Sequence, residues 1–146
     1  MHQPVLKVFE INHLALYVAD LERSRRFYID VLGFGDRTAR VNPSQAATTH
    51  QTMSFLVAGS HGLDLFEVAD LRVNGGQAIS HMALSVEDDD ISSVSAALAA
   101  AGVEVSAPTP RNTVFISDPD GYRIEVIPRQ AQVRQLDRVK RPTDAQ

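Results

Sequence analysis

The sequence predicts an α+β fold built from two paired βαβββ modules, and three observations carry that prediction. The chain repeats itself: Ile11-Asn12-His13-Leu14-Ala15-Leu16-Tyr17-Val18-Ala19-Asp20 lies over Ile79-Ser80-His81-Met82-Ala83-Leu84-Ser85-Val86-Glu87-Asp88, with six of the ten positions identical at an offset of 68. Each copy is followed by a helical pattern that opens on an aspartate and stops at a glycine, Asp20 to Gly33 and Asp88 to Gly102, the residue types favoured at N-caps and just past helix ends. Finally, Asp118-Pro119-Asp120-Gly121 near the end of the second copy is a turn signal that closes a hairpin.

The elements follow in order. In module one a first strand precedes the helix, and β-like runs come after it at about Phe34 to Val41, Gln51 to Ala58 and Gly62 to Val68. Module two repeats the order, with strands near Ile79 to Val86, Val103 to Ser106, Asn112 to Ser117 and Tyr122 to Ile127. The polar stretch Asn42 to His50 reads as the longest internal loop, and Asn74-Gly75-Gly76 as the link between modules. We therefore expect one domain over 1–128, with modules at about 9–68 and 78–128, and a peripheral helix or flexible tail over 129–146.

Composition narrows the function. The 146 residues match the length of a single domain, about 150 residues. With 44% hydrophobic and 22% charged residues the chain can bury a core. A net charge of −4 gives no basic footprint, so nucleic acid is not an expected partner. There is no cysteine, which removes disulfides, thiolate metal sites and cysteine nucleophiles. Glu10, Asn12 and His13 interrupt the only early apolar run, so neither a membrane span nor a secretory leader is expected and a cytoplasmic protein is.

Strand parity selects the candidate site. Successive side chains of a strand point to opposite faces, so Leu14, Leu16 and Val18, like Met82, Leu84 and Val86, form the stripe that packs on the helix, and His13 and His81 point the other way. In the last strand of each module Leu63 and Leu65, or Ile124 and Val126, take the helix side and leave Asp64 and Glu125 opposite. Two histidines and two carboxylates thus share the concave face of a curved sheet. A carboxylate buried in mid-strand costs several kcal/mol unless it is paired, protonated or metal-bound. A lone strand histidine is commonly a hydrogen-bonded structural residue, which is the reading for His50 or His61 taken singly. His13, His81 and Glu125 together suit one divalent cation, Zn, Ni, Co, Mn or Fe(II). Asp64, one methylene shorter, either joins them directly or through water, and Glu67 points to the helix side, toward solvent or an arginine.

These residues carry a family resemblance. The repeated I-x-H-x-A-L-x-V strands, the helix Asp20-Leu21-Glu22-Arg23-Ser24-Arg25-Arg26-Phe27-Tyr28 leading to Val31-Leu32-Gly33-Phe34, and Asp118-Pro119-Asp120-Gly121-Tyr122-Arg123-Ile124-Glu125 resemble the vicinal oxygen chelate superfamily. It includes glyoxalase I, methylmalonyl-CoA epimerase, extradiol ring-cleaving dioxygenases, fosfomycin-resistance enzymes and bleomycin-binding proteins. The resemblance spans about residues 9–128 and implies the glyoxalase/dioxygenase-like fold: modules rolled into a half-barrel cleft, a divalent metal on His13, Asp64, His81 and Glu125, and a homodimer whose cleft is built within one chain or across two. The local match is to glyoxalase I, from which the chain departs at Asp64, where glutamate is usual, and in the short Ala107–Asn112 stretch, which lacks a Lys-Gly-Gly character.

The activity implied is proton transfer beside a carbonyl of a small substrate whose two neighbouring oxygens chelate the metal, as in a lyase, isomerase or epimerase, with Glu125 as base and Asp64 as second carboxylate. One alternative is an Fe(II) extradiol dioxygenase using His13, His81 and Glu125, with Tyr17, His50 or His61 as acid/base groups. Another is a non-catalytic drug- or metabolite-binding resistance protein. Tyr17, Phe66, Phe115 and Arg123 are candidate pocket walls.

Overall fold

The computed structural model describes residues 11–72 and 80–128; the Asn74-Gly75-Gly76 link and the 129–146 segment lie outside them. The chain divides into two compact units, one ending at Leu71 and the other beginning at Arg72.

The first unit opens with strand β1 (His13–Val18), whose Leu16 and Val18 are buried. Asp20 caps the helix that follows, α1 (Leu21–Arg25), by accepting from the Arg23 N–H at 2.8 Å. The helix continues through Arg26–Val31 with wider π spacing, so that the Leu32 N–H reaches the Phe27 carbonyl five residues back. It ends where Gly33, at φ +78°, donates to the Ile29 carbonyl. Leu21, Ser24, Phe27 and Tyr28 form its buried face, and the Tyr28 ring meets the edges of Phe27 and Phe34 at centroid spacings of 5.3 and 5.5 Å.

The run predicted as a strand over Phe34 to Val41 keeps that form only at β2 (Gly35–Asp36) and then turns into α2 (Thr38–Val41). Asp36 is the reason: its carboxylate accepts from the Thr38 N–H at 2.8 Å, a turn that bends the chain away from the strand and into the helix whose N-cap position is Arg37. The Asn42 to His50 loop likewise holds a short helix, α3 (Pro43–Ala46), started by Asn42 accepting from the Gln45 N–H. Strands β3 (Met53–Ala58) and β4 (His61–Glu67) complete a sheet of order β1-β4-β3-β2, in which β1 runs parallel to β4 and the other pairs are antiparallel.

The second unit repeats this plan with fewer strands. Strand β5 (Met82–Val86) leads to α4 (Ile91–Ala100), which buries Ile91, Val94 and Leu98. Its cap is Asp90 rather than Asp88; Asp88 instead accepts from the Asp90 N–H, so the first of three consecutive aspartates orients the last. Gly102, at φ +80°, donates to the Ala99 carbonyl while Val103 donates to that of Leu98, the paired bonds that finish a helix.

The predicted strand at Val103 to Ser106 is not a ladder strand. Ser106 exchanges hydrogen bonds with Phe115 through its N–H and hydroxyl. Pro108 and Pro110, which lack N–H donors, keep the run from continuing as a ladder, so that the next cross-bonds are the Thr109 N–H to the Thr113 carbonyl and the Thr113 N–H to the Thr109 hydroxyl. Strands β6 (Val114–Ser117) and β7 (Arg123–Pro128) close the sheet in the order β5-β7-β6, with β5 parallel to β7. Their hairpin is the Asp118–Gly121 turn, where Asp118 accepts from the N–H groups of Asp120 and Tyr122 and Gly121 takes φ +92°. Among the described residues no helix is long and apolar enough to cross a membrane.

Candidate metal centre

The parallel pairing of the first and last strands sets one histidine beside one carboxylate in each unit. In the first, Ala15 stands opposite Asp64 in the β1–β4 ladder, and in the second Ala83 stands opposite Glu125 in the β5–β7 ladder. The histidine two residues before each alanine shares its face. His13 Nε2 lies 3.7 Å from Asp64 Oδ2, and His81 Nε2 lies 3.3 Å from Glu125 Oε2.

Both imidazoles are oriented by the residue before them: His13 Nδ1 is 2.8 Å from Asn12 Oδ1, and His81 Nδ1 is 3.0 Å from Ser80 Oγ. A partner that accepts at Nδ1 keeps the proton there and leaves Nε2 its lone pair, the usual arrangement behind a metal-binding histidine.

The two carboxylates differ in surroundings. Glu125 is 4% exposed in mid-strand and is compensated on both oxygens. The Thr113 hydroxyl donates to Oε1 at 2.8 Å, the Arg111 guanidinium stands 3.9 Å from the same oxygen, and His81 faces Oε2. Among the described residues Asp64 has only His13 as charged partner; burial pushes its carboxyl up from the usual range, and the His13 charge offsets part of that rise.

Each unit also places a phenylalanine directly opposite its carboxylate, Phe55 across from Asp64 and Phe115 across from Glu125. Phe115 meets the His81 ring edge-on at 5.5 Å, and Phe55 meets Phe66 at 6.3 Å. Tyr17 shares the His13 face and is 61% exposed. Phe55, Thr113, Arg111, Asn12 and Ser80 were not among the residues singled out in the sequence. Alternation along β3 would have found Phe55, since Met53, Phe55 and Val57 share a face with Asp64.

Other sequence candidates take different places. Glu67 lies on the helix side, where it accepts from the Leu21 N–H at 2.8 Å and stands 3.2 Å from His50 Nε2, so its protein partners are a helix N-terminus and a histidine rather than an arginine. His50 and Glu67 border a polar pocket of about 530 Å³, with Asp20, Glu22, Arg25 and Thr48 also on its wall. His61 Nδ1 is 3.3 Å from Ser60 Oγ, and its alternation in β4 puts it on the face away from Asp64.

The donor chemistry of each pair fits a divalent cation. Ligand distances of about 2.1 Å place donors at neighbouring coordination positions about 3.0–3.4 Å apart, a spacing that the His81–Glu125 pair has and the His13–Asp64 pair exceeds slightly. Among the described residues, no group of three or more histidine, aspartate or glutamate donors forms; each unit supplies two.

Comparison with known proteins agrees with this plan. The family model described as Glyoxalase/Bleomycin resistance protein/Dioxygenase superfamily matches residues 10–126. The chain is 32% identical to a lactoylglutathione lyase of Haemophilus influenzae over 81% of its own length and 91% of that protein's. It is 24% identical to the metallothiol transferase FosB of Staphylococcus epidermidis, over 83% and 82% of the two chains. In structure it is similar to a glyoxalase/dioxygenase from Nostoc punctiforme, with a TM-score of 0.67 at 22% identity, covering 86% of this chain and 98% of the other. The repeated βα unit, its two sheets and the extent of the family match lead to one conclusion: the chain belongs to the glyoxalase/bleomycin resistance protein/dioxygenase superfamily.

Proposed function

We propose that the protein is a divalent-metal-dependent enzyme of the glyoxalase type that moves a proton on a carbon beside a carbonyl, with His13, Asp64, His81 and Glu125 as the donors that hold the cation. The observation that carries this reading is the recurrence, at equivalent register in both units, of an imidazole Nε2 facing a carboxylate oxygen. The similarity to a lactoylglutathione lyase supports the same class.

A bound divalent cation would supply Lewis acidity to two neighbouring substrate oxygens and stabilise the negative charge that develops on them. The chain's own groups do the rest. Glu125 is the base on leaving the cation as substrate binds: Thr113 fixes Oε1, so Oε2, which would be the oxygen released, is the one left to take a proton from carbon. Asp64, with its proton affinity raised by burial, is the second carboxylate of the shuttle. Asn12 and Ser80 hold the imidazoles in register with them, and Phe55 and Phe115 flank the carboxylates they stand opposite.

A second reading, ring cleavage by Fe(II) held on His13, His81 and Glu125, is favoured by the longer reach to Asp64, 3.7 Å against 3.3 Å for the other pair. One experiment separates the two. Metal-free protein is reloaded with Ni(II), Co(II), Mn(II), Zn(II) or Fe(II), its metal content measured, and the product assayed for hemithioacetal isomerisation, acyl-CoA epimerisation and oxygen-dependent catechol cleavage. Proton-transfer activity with Ni, Co or Mn, lost together with metal retention in His81→Ala and Glu125→Ala, is the expected result. Catechol cleavage with Fe(II) alone would replace it with the second reading. Full metal retention in both variants would remove the site, and no retained metal with no activity would leave a binding protein.

A further inference from the structure

Beside the His81–Glu125 pair stands a cation to which the proposed chemistry gives no task. Arg123 begins β7 two residues before Glu125 and shares its face. Its guanidinium does not turn to that carboxylate, whose oxygens are occupied by Thr113, Arg111 and His81. Instead the guanidinium carbon sits 3.8 Å above the centroid of Phe115, and the same ring meets His81 at 5.5 Å. Arg123 is exposed and forms no ion pair among the described residues.

A guanidinium over an aromatic face is held there by the ring's quadrupole, which satisfies none of its N–H donors. All five point outward in the plane of the fork, the arrangement that grips an oxyanion through two parallel hydrogen bonds. A single ring, Phe115, lies against both this fork and the candidate metal-binding imidazole, so an anionic group held here would be joined to the chelating oxygens by a short chain.

We propose that Arg123, stacked on Phe115, is an oxyanion-binding subsite and that the substrate carries a carboxylate or similar anionic group a few bonds from its chelating oxygens. This inference rests on the metal-chelate reading for its substrate, but the subsite itself can be tested without a metal.

In the Ni(II)-loaded protein, succinomonohydroxamate and butyrohydroxamate offer the same chelating oxygens on chains of equal length, one ending in a carboxylate and the other in a methyl group. The wild-type protein is expected to bind the carboxylate compound about tenfold more tightly, the size of one charge-assisted hydrogen bond at a partly exposed site. Arg123→Gln brings that ratio to about one, and Arg123→Lys, which keeps the charge without the fork, retains part of it. Equal affinities in the wild type, or a preference unchanged in Arg123→Gln, overturn the subsite.

The second arm uses metal-free protein and inorganic phosphate. A saturable shift of the Arg123 Nε–H resonance, identified by its loss in Arg123→Gln, supports the subsite, and no saturable shift overturns it. If neither hydroxamate binds while phosphate saturates, the chelation reading falls and the oxyanion subsite stands.

Discussion

Gly62 is where one methyl group tests whether strand spacing positions the site. It pairs with His13 at the end of the β1–β4 ladder, and its N–H donates to the Asn12 carbonyl at 2.8 Å. A Cβ built on Gly62 would lie 2.8 Å from the His13 Cβ, against 3.4 Å for the near edge of ordinary contact. In Gly62→Ala the two strands must therefore part by about 0.6 Å at that point, and His13 is the residue that moves. The counterpart of Gly62 in the second unit is Arg123, and there the β5–β7 ladder begins one pair later, at Met82 opposite Ile124. Gly62→Ala is expected to shorten the first ladder in the same way.

Overpacking of this kind costs about 1–3 kcal/mol, which lowers the unfolding temperature by about 3–9 °C in a chain of this length. The misplaced imidazole also weakens metal binding about tenfold or more. Thermal unfolding of the metal-free protein and competitive titration against a chromophoric chelator read the two effects separately. Gly35→Ala is the control, because the Cβ there meets the Val57 side chain at 3.2 Å, which can give, and it should leave metal affinity untouched. A Gly62→Ala protein with wild-type unfolding temperature and wild-type metal affinity would refute the claim that this close approach places His13.

Three further outcomes are expected. Thr113→Val removes the hydroxyl that donates to the buried Glu125 carboxylate and should cost about 1.5–3 kcal/mol in urea unfolding; a loss below about 0.5 kcal/mol would mean the bond contributes nothing net. At Asp36, burial pushes the carboxyl up, but hydrogen bonds from Arg25 and Thr38 and the Arg25 charge outweigh it and hold the group below its usual 3.8. Its contribution is therefore fully present above pH 3.8 and fades as pH falls through the lowered value, so Asp36→Asn should destabilise at neutral pH, with a gap from wild type that closes in acid; a gap that widens in acid would reverse the sign. Gly102→Ala forces an alanine to φ +80° past the end of α4 and should cost about 1 kcal/mol, measured by thermal unfolding, with no change in metal content.

What could be read in the sequence was what alternation and repetition encode. The match of Ile11–Asp20 with Ile79–Asp88 anticipated two equivalent first strands, and parity gave His13, Asp64, His81 and Glu125 a shared face, while the pairing of His13 with Asp64 and of His81 with Glu125 within each unit came from the strand register. The Asp118–Gly121 turn was legible because its residue types admit few other backbones. Elsewhere a side chain decided between structures that the apolar pattern could not separate. Asp36 turned an apparent strand into a helical start by accepting from the Thr38 N–H two residues on, and within Asp88–Asp90 any of three carboxylates could have served as the cap. Thr113 and Arg111 stayed invisible because their importance lies in reaching Glu125 across a hairpin, a relation no local pattern records.

The parallel pairing of the first and last strands within each unit has a kinetic consequence. His13 and Asp64 belong to the first and last strands of one unit, and His81 and Glu125 to those of the other, so every donor pair is a contact of long sequence separation. Such contacts come late, after the chain between them has met the entropy of closing. A nascent or half-folded polypeptide therefore holds each imidazole apart from its carboxylate until the module around them is finished.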